Sequence, residues 1–370
     1  MKTLWVFILL SALGADGAEA RVSRNPGTPE TVTLENGLLK ITFAPALQGA
    51  LCGWEYLPQK RSIIRPLQYR VEKVDLLPDR IIVSQDGFRC RIWGKKDALG
   101  DVMQVTQLEA SPDGSCSITM SSSMEDGPEL SMVSRMHLLP GSTALTGSVD
   151  IANTRKDPGT YSLWFNCVFF MSDKPEPVLV PVRSGVRQIG TLGLSVAAQD
   201  GILQELQEGS RNMFFAALHP WVAKAAPDRP GVIVLKVSDP AMDKMVLYTH
   251  KASLLHTMEI IASPERLSGG KSGSRKFQLL YFPSLTALRA VCGFYGIDVK
   301  DGALEIESAV PVGESFWTVG GRSFPVPPLK PGRLYRIRLV HKNEKTLKIS
   351  IDGKDYIIPG QLSRDLKTIQ

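Results

Sequence analysis

The chain has 370 residues and a formal net charge of +6. This length suffices for one large β domain or two smaller ones, and so modest a charge excess is more typical of a solvated surface than of an acidic partner such as a uronic-acid polymer. No motif of interleaved basic and aromatic residues occurs, so nucleic-acid binding is excluded from the prediction.

The first residues, MKTLWVFILLSALGADGAEA, have the layout of a secretory signal. Lys2 lies in a short basic head, an apolar run extends from Leu4 to Leu13, and Ala18-Glu19-Ala20 matches the A-x-A cleavage pattern. The apolar run is shorter than the ~20 residues of a spanning helix, and no later stretch reaches that length. We therefore predict a signal peptide at residues 1–20, a secreted or periplasmic product, and no membrane anchor after cleavage.

The five cysteines lie far apart and form no C-x-x-C pair, which argues against a thiolate zinc site. Cys90 with Cys116 is the one pair that we consider as a disulfide. We interpret most of the cysteines as small apolar residues of the core.

From residue 31 onward, apolar and polar residues alternate with a period of two, which is typical of strands with one buried face. In LENGLLKITF, the side chains of Leu39, Ile41 and Phe43 are predicted to share one face. The dipeptide Asn36-Gly37 predicts a tight hairpin turn with positive φ at both residues. The small residues from Ala44 to Gly53 then allow a second backbone to pass closely.

The same alternation recurs along the chain, separated by Asp-Gly, Pro-Gly and Gly-Gly turns. Strands at this density predict a large antiparallel sandwich and not α/β units. The segment from Ser284 to Gly296 is the best helix candidate, with Ser284 as its cap. The stretch from Pro325 to Tyr335 is predicted to be an edge or a linker, because proline cannot donate to an inner ladder.

Three stretches resemble galactose mutarotase-like proteins, the superfamily that includes the aldose 1-epimerases. The opening strand, Asn-Gly turn, strand and Gly-rich bend resemble the start of that fold. The stretch from Asn166 to Phe170 resembles the N-H-x-Y-F strand that lines the epimerase sugar site, and the stretch from Thr257 to Ile261 resembles the strand with the catalytic glutamate. The resemblance implies an antiparallel β-supersandwich whose concave face binds sugar. We predict an all-β fold with this supersandwich at residues 21–298 and, from the strand pattern of the tail, a small C-terminal β extension at residues 299–370.

The resemblance implies that Glu259 occupies the place of the catalytic glutamate. An epimerase needs a carboxylate to take the anomeric proton and a histidine to protonate the ring oxygen. Here Cys167 stands at the position of that histidine, and a thiol is a poor general acid for an alcohol oxygen. His219, which precedes Pro220 and Trp221, is therefore the candidate for the second catalytic group.

Four further side chains are candidates for substrate binding. Trp164 lies two residues before Asn166, the residue aligned with the family's site, so both side chains are predicted on the same face of one strand. Trp221 lies close to His219 in the sequence. Arg135 would share a strand face with His137 and meet a sugar carboxylate, although a cross-strand salt bridge explains this arginine equally well. The remaining mature tryptophans are interpreted as core residues: Trp54, Trp93 and Trp317.

No metal site and no cofactor is predicted. On one continuous strand His250 and His256 would share a face and Glu259 would lie on the other. We predict an exported carbohydrate-binding protein that acts in glycan processing. Two alternatives stay open: an isomerase-like sugar epimerase or a polysaccharide lyase or hydrolase that uses Glu259, and a non-catalytic envelope module that binds protein.

Overall fold

The computed structural model describes residues 20–27, 29–64, 69–72, 80–83, 87–93, 102–122, 130–172, 174, 176–182, 185–189, 203–207, 210–215, 219–238, 242–250, 255–338, 346–351 and 353–359. The chain divides into two compact units. The first comprises Met1–Arg89, Gly94–Gly159 and Leu267–Ser274, and the second comprises Cys90–Trp93, Thr160–Arg266 and Arg275–Gln370. Of the predicted signal peptide, only Ala20 is among the described residues.

The described residues are almost entirely in strands, as predicted. The first strands are β1 (Arg21–Asn25), β2 (Thr31–Glu35), β3 (Leu39–Ala44), β4 (Ala50–Tyr56), β5 (Arg61–Ser62), β6 (Tyr69–Glu72), β7 (Arg80–Val83), β8 (Gly87–Ile92), β9 (Met103–Ala110), β10 (Cys116–Ser122), β11 (Leu130–Leu138) and β12 (Ala144–Asn153). Two short 3-10 turns, Pro45–Leu47 and Leu57–Gln59, are the helical elements of the described chain. None of its helices is long and apolar enough to cross a membrane.

The next strands are β13 (Gly159–Tyr161), β14 (Leu163–Val168), β15 (Val178–Val182), β16 (Gly185–Ile189), β17 (Leu203–Gln207), β18 (Ser210–Phe215), β19 (Trp221–Ala225), β20 (Val232–Val237), β21 (Met242–His250), β22 (Leu255–His256), β23 (Met258–Ala262), β24 (Glu265–Leu267) and β25 (Ser272–Phe282). The last are β26 (Ala290–Cys292), β27 (Tyr295–Lys300), β28 (Ala303–Ser308), β29 (Ser315–Val319), β30 (Arg322–Val326), β31 (Tyr335–Arg338), β32 (Thr346–Ile351) and β33 (Lys354–Pro359).

The first unit contains two larger antiparallel sheets and the two-stranded sheet β6-β7. One sheet runs β1-β2-β3-β4 and the other runs β9-β10-β11-β12. The predicted hairpin joins β2 to β3, but only Gly37 has a positive φ. The side chain of Asn36 replaces the expected turn geometry: its Oδ1 accepts the N–H groups of Leu38 and Leu39, and its Nδ2 donates to the carbonyl of Ser142. The hairpin is therefore joined to the second sheet by a buried amide.

Two facing sheets form the part of the second unit that precedes β26. Strands β14, β23, β21, β18 and β17 form one, and strands β16, β15, β19, β20 and β25 form the other. Strands β19 and β20 pack against β23, and the rings of Phe165 and Phe277 lie 5.6 Å apart between the two layers. The all-β antiparallel sandwich predicted from the sequence is confirmed.

The C-terminal part of the second unit is a small β-sandwich with its own core. One sheet runs β26-β27-β28-β31 and the other runs β30-β29-β32-β33. Between them lie fourteen buried residues: Cys292, Tyr295, Ile297, Leu304, Ile306, Trp317, Val319, Val326, Leu329, Ile337, Leu347, Ile349, Ile351 and Ile358. Pro325 lies in β30, which is an edge strand as predicted. The sandwich begins at β26, before residue 299.

A buried carboxyl group, that of Glu307, accepts backbone hydrogen bonds from two loops of this sandwich. The two oxygens of Glu307 accept the backbone N–H groups of Ser284, Leu285 and Gly332 over 3.0, 3.0 and 3.1 Å. Burial raises the pKa of Glu307 to about 7, and the N–H donors oppose that rise. Glu307 therefore ties two loops to β28.

Two expectations from the sequence are wrong. The segment predicted as a helix contains β26 and the start of β27, because Gly293, at φ +61°, turns the chain between Cys292 and Tyr295. The cysteines considered for a disulfide are buried free thiols. The backbones of His250 and His256 lie on the paired strands β21 and β22, and so the condition of one continuous strand is not met.

Candidate functional site

Glu259 is a buried acidic residue in the middle of β23. Its neighbour Ile260 pairs with Phe165 of β14, whose ring contacts Phe277 in the facing sheet. Because successive side chains of a strand point to opposite faces, Glu259 points away from the sandwich interior. It is nevertheless only 2% exposed.

The pairing of β14 with β23 places the predicted site residues together. Asn166 lies directly opposite Glu259, and Trp164 lies opposite Ile261. Directly opposite residues of an antiparallel pair have Cβ atoms about 4.5–5.5 Å apart, and diagonal neighbours are within reach of an aromatic side chain. Trp164, Asn166 and Glu259 therefore share one face of the sheet, and the first two are partly exposed there.

The carboxyl of Glu259 is held by two side chains. The indole Nε1–H of Trp164 donates to Oε2 over 2.6 Å, and the hydroxyl of Thr257, the residue directly before β23, forms a second hydrogen bond. Burial raises the pKa of Glu259 from 4.5 to about 7, while these two donors lower it. The group therefore changes charge near neutral pH, as acid–base and ligand-binding carboxyls do.

A second tryptophan extends this face toward solvent. The ring of Trp93 meets that of Trp164 edge to face, with centroids 5.3 Å apart and planes at 86°. Trp93 follows β8, and its backbone N–H donates to the carbonyl of Ser162 over 2.9 Å. Its side chain is 36% exposed, so the interpretation as a core residue is wrong. An exposed indole beside a buried carboxyl is the aromatic and polar combination found in small-molecule sites.

Cys167 lies on the other face of β14. It pairs with Met258, is fully buried, and alternates in direction with Asn166. Burial and the negative charge of Glu259 raise the pKa of its thiol well above the ordinary value. Cys167 is therefore a neutral core residue, and it does not supply the proton-donating group of an epimerase to the face with Glu259.

A buried ion pair fixes the segment that follows β14. The Nζ of Lys224, on β19, donates to the carbonyl of Phe169 over 2.7 Å and lies 3.5 Å from Oε2 of Glu176. The other oxygen of Glu176 accepts the backbone N–H groups of Met171 and Ser172. Burial raises the pKa of Glu176, and the charge of Lys224 opposes that rise. This ion pair anchors the chain directly after the strand with Trp164 and Asn166.

The remaining predicted site residues lie elsewhere. His219 is exposed in the turn before β19, where desolvation lowers its pKa. None of the hydrogen bonds found for Glu259 within the described residues involves it. Trp221 is 2% exposed in β19, which leaves no free ring face for a ligand. Arg135, in the first unit, forms an ion pair with Asp150 of β12, the structural alternative considered for it.

The sequence did not identify Trp93 or Thr257 as site residues. Trp93 reaches the site only because β8 ends beside the start of β14, and no local pattern indicates that contact. Thr257 lies two residues before Glu259, so the alternation predicted for this stretch of sequence would place both side chains on one face. This alternation is the feature of the sequence that could have identified Thr257 as a site residue.

No family model matches the chain, and no curated protein matches it. Solved structures are similar in fold at low identity. A galactose mutarotase-like protein from Clostridium acetobutylicum has a TM-score of 0.49 and 8% identity, over 71% of this chain and 98% of its own. A galactose mutarotase-like protein from Lactobacillus casei has a TM-score of 0.43 and 14% identity, over 68% of this chain and 99% of its own. A Synechocystis protein has a TM-score of 0.48 and 14% identity, over 75% of this chain and 100% of its own.

Two of these three structures are of galactose mutarotase-like proteins, the superfamily that three stretches of the sequence resemble.

Proposed function

We propose that this protein binds a neutral carbohydrate on the face formed by Trp93, Trp164, Asn166 and Glu259. The observation that carries the proposal is the buried carboxyl of Glu259, hydrogen-bonded to Trp164 and placed opposite Asn166. Sugar rings offer an apolar C–H surface that packs on aromatic faces, and hydroxyls that bind carboxylates and amides. The exposed ring of Trp93 supplies the first kind of contact, and Glu259 and Asn166 supply the second.

The charge of the site favours a neutral ligand over an acidic one. Ionised Glu259 would repel a sugar carboxylate or phosphate, because like charges placed together in a binding site are strongly unfavourable. Arg135, the residue considered for an acidic sugar, forms an ion pair with Asp150. A neutral monosaccharide or the neutral end of a glycan therefore fits this face best.

Binding is better supported than ring-opening catalysis. An epimerase needs an acid and a base placed across one sugar, and Cys167 points to the opposite face of β14 from Glu259. Asn166, directly across from Glu259, is an amide and cannot exchange protons as an acid. The chemistry of the described residues thus supports recognition of hydroxyl groups by one carboxyl.

A glycan array with the full chain, followed by titration calorimetry on the sugars that bind, tests the proposal. Glu259→Gln removes the negative charge and Trp93→Ala removes the exposed ring, so each should weaken binding by about tenfold or more, or ~1.4 kcal/mol. Glu314→Gln, at an exposed glutamate in the C-terminal sandwich, is the matched control and should bind as wild type does. Equal affinity of the Glu259 and Glu314 variants, or no sugar bound by wild type, would refute the proposal.

The same sugars decide whether the site is catalytic. Exchange NMR measures how fast the two anomers of a bound sugar interconvert. If wild-type protein interconverts the anomers faster than buffer alone does, and Glu259→Gln abolishes this increase, the protein is an epimerase and the proposal of binding without catalysis is wrong. Unchanged interconversion with retained binding supports a carbohydrate-binding protein.

Export is part of the proposal. It is supported by the basic head, the apolar run and the Ala18-Glu19-Ala20 pattern at the start of the chain. Expression of the full chain followed by mass spectrometry of the secreted or periplasmic fraction tests it. A product that begins near Arg21 is expected, and an uncleaved chain retained in the cytoplasm would contradict it.

A further inference from the structure

The contact between Trp164 and Glu259 joins two strands through one polar pair. An indole N–H can donate a hydrogen bond and cannot accept one, so the carboxyl oxygen that faces Trp164 must be the acceptor. Nε1 and Oε2 lie 2.6 Å apart, and a hydrogen bond of this kind is stronger when the carboxyl is ionised. Because Glu259 is buried, water has little access to take the place of the indole.

The ring of Trp164 is itself held in place. Trp93 packs against it edge to face, and the neighbouring Phe165 is anchored in the sandwich interior by Phe277. The donor is therefore fixed by β14 and by an aromatic neighbour, while the acceptor is fixed by β23. A rigid donor of this kind sets the orientation of the group that it contacts.

We propose that Trp164 is a positioning residue, whose indole N–H holds the Glu259 carboxylate in one orientation and stabilises its negative charge for the ligand. This inference rests on the proposed function, since the carboxylate that it positions is the group proposed to meet the sugar. Trp93 then has a separate role: it supports the Trp164 ring from the exposed side and offers its own face to the ligand.

The positioning role predicts a change in the acid–base behaviour of Glu259 without any sugar. Burial raises the pKa of this carboxyl and the Trp164 N–H counteracts the rise. Removal of the N–H should therefore increase the pKa further, by about one pH unit for a hydrogen bond to a charged group. A purely structural tryptophan would not affect this titration.

The experiment measures the pKa of Glu259 in the full chain by carbon-13 NMR of labelled glutamate side chains, with the signal assigned through Glu259→Gln. Two variants remove the N–H: Trp164→Phe, and a site-specific replacement of the Trp164 indole by the isosteric benzothiophene ring. The second keeps the size and shape of the side chain, so it is informative even if Trp164→Phe does not fold. Both should raise the pKa by about one pH unit.

Trp317→Phe is the matched control. Trp317 is fully buried, packs edge to face on Tyr295 with centroids 5.0 Å apart, and its Nε1–H finds no hydrogen-bond partner within the described residues. It therefore reproduces the size change and the ring packing without the carboxyl contact. The pKa of Glu259 should stay at its wild-type value in this variant.

The outcomes separate this inference from the proposed function. An unchanged Glu259 pKa in the benzothiophene variant overturns the positioning role, whatever the protein binds. A raised pKa in a protein that binds no sugar supports the positioning role and refutes carbohydrate binding. If sugar binds, its affinity should decrease with falling pH around the Glu259 pKa, and this pH profile should move upward by the same amount in the benzothiophene variant.

Discussion

Substitution of Glu259 by Gln should change how the stability of the protein depends on pH. The pKa of this carboxyl is raised by burial from 4.5 to about 7, so the folded state binds the proton more tightly than the unfolded state does. The contribution of this carboxyl to the unfolding free energy is fully present below about pH 4.5 and is lost as the pH rises through about 7. Wild-type protein therefore carries a destabilising buried charge under alkaline conditions.

The size of the effect follows from the pKa difference. At about 1.4 kcal/mol per pH unit, the interval between 4.5 and about 7 corresponds to ~3 kcal/mol. The glutamine side chain resembles the protonated acid in shape and charge, and its amide oxygen can still accept the Trp164 N–H. Glu259→Gln should therefore match wild type at about pH 5 and exceed its unfolding free energy by ~3 kcal/mol at about pH 8.5.

Urea unfolding at both pH values measures this difference. Glu314→Gln, at an exposed carboxylate, is the control and should follow wild type under both conditions. The comparison between pH values removes any constant cost of the substitution, so only the charge of Glu259 contributes. A stability difference between wild type and Glu259→Gln that is the same at both pH values would refute a buried carboxyl with a raised pKa.

Three further predictions concern the framework around the site. Lys224→Met should lower the unfolding free energy by ~3 kcal/mol or more, because Glu176 stays buried without its counter-charge. A double-mutant cycle with Glu176→Gln measures the coupling between the two side chains, and additive effects would contradict the prediction. Gly87→Ala should lower the unfolding free energy by more than ~3 kcal/mol, since the added Cβ would overlap the Leu51 carbonyl oxygen. Gly270→Ala, in open space at φ +70°, should lower it by only about 1–2 kcal/mol. Equal melting temperatures of the two variants would count against this packing. All five cysteines are buried free thiols, so a thiol reagent should label them only after denaturation, and rapid labelling of native protein would disagree with the fold.

Local patterns predict much of this fold because each strand carries its own signal. Alternation identifies the buried face of β3, where Leu39, Ile41 and Phe43 are fully buried. The Asn-Gly dipeptide identifies the first hairpin, although the side chain of Asn36 and not its φ angle forms the turn. The helix prediction was wrong because buried residues from Leu285 to Cys292 coincide with helical spacing while the chain turns at Gly293.

The site is less predictable because it depends on contacts distant in sequence. Strand parity correctly places Trp164 and Asn166 on one face, and the resemblance identified Glu259. The hydrogen bond between Trp164 and Glu259, however, joins residues 95 positions apart, and its existence depends on the register of β14 against β23. A shift of one residue would exchange Asn166 for Cys167 opposite the glutamate. No local motif sets that register, and none places Trp93 beside it.

The two most deeply buried glutamates among the described residues of the second unit show why Glu259 is the better candidate for function. Glu307 has a similarly raised pKa, but it accepts three backbone N–H groups and ties two loops to a strand. Such a carboxylate completes the hydrogen bonds of the backbone, so its burial serves the fold. Glu259 is held instead by the side chains of Trp164 and Thr257, and among the described residues no backbone N–H is found to donate to it. Buried polar groups that the fold itself does not use are expected at functional sites. Glu259 contacts Trp164, whose ring packs against the exposed Trp93, so it is the stronger candidate of the two.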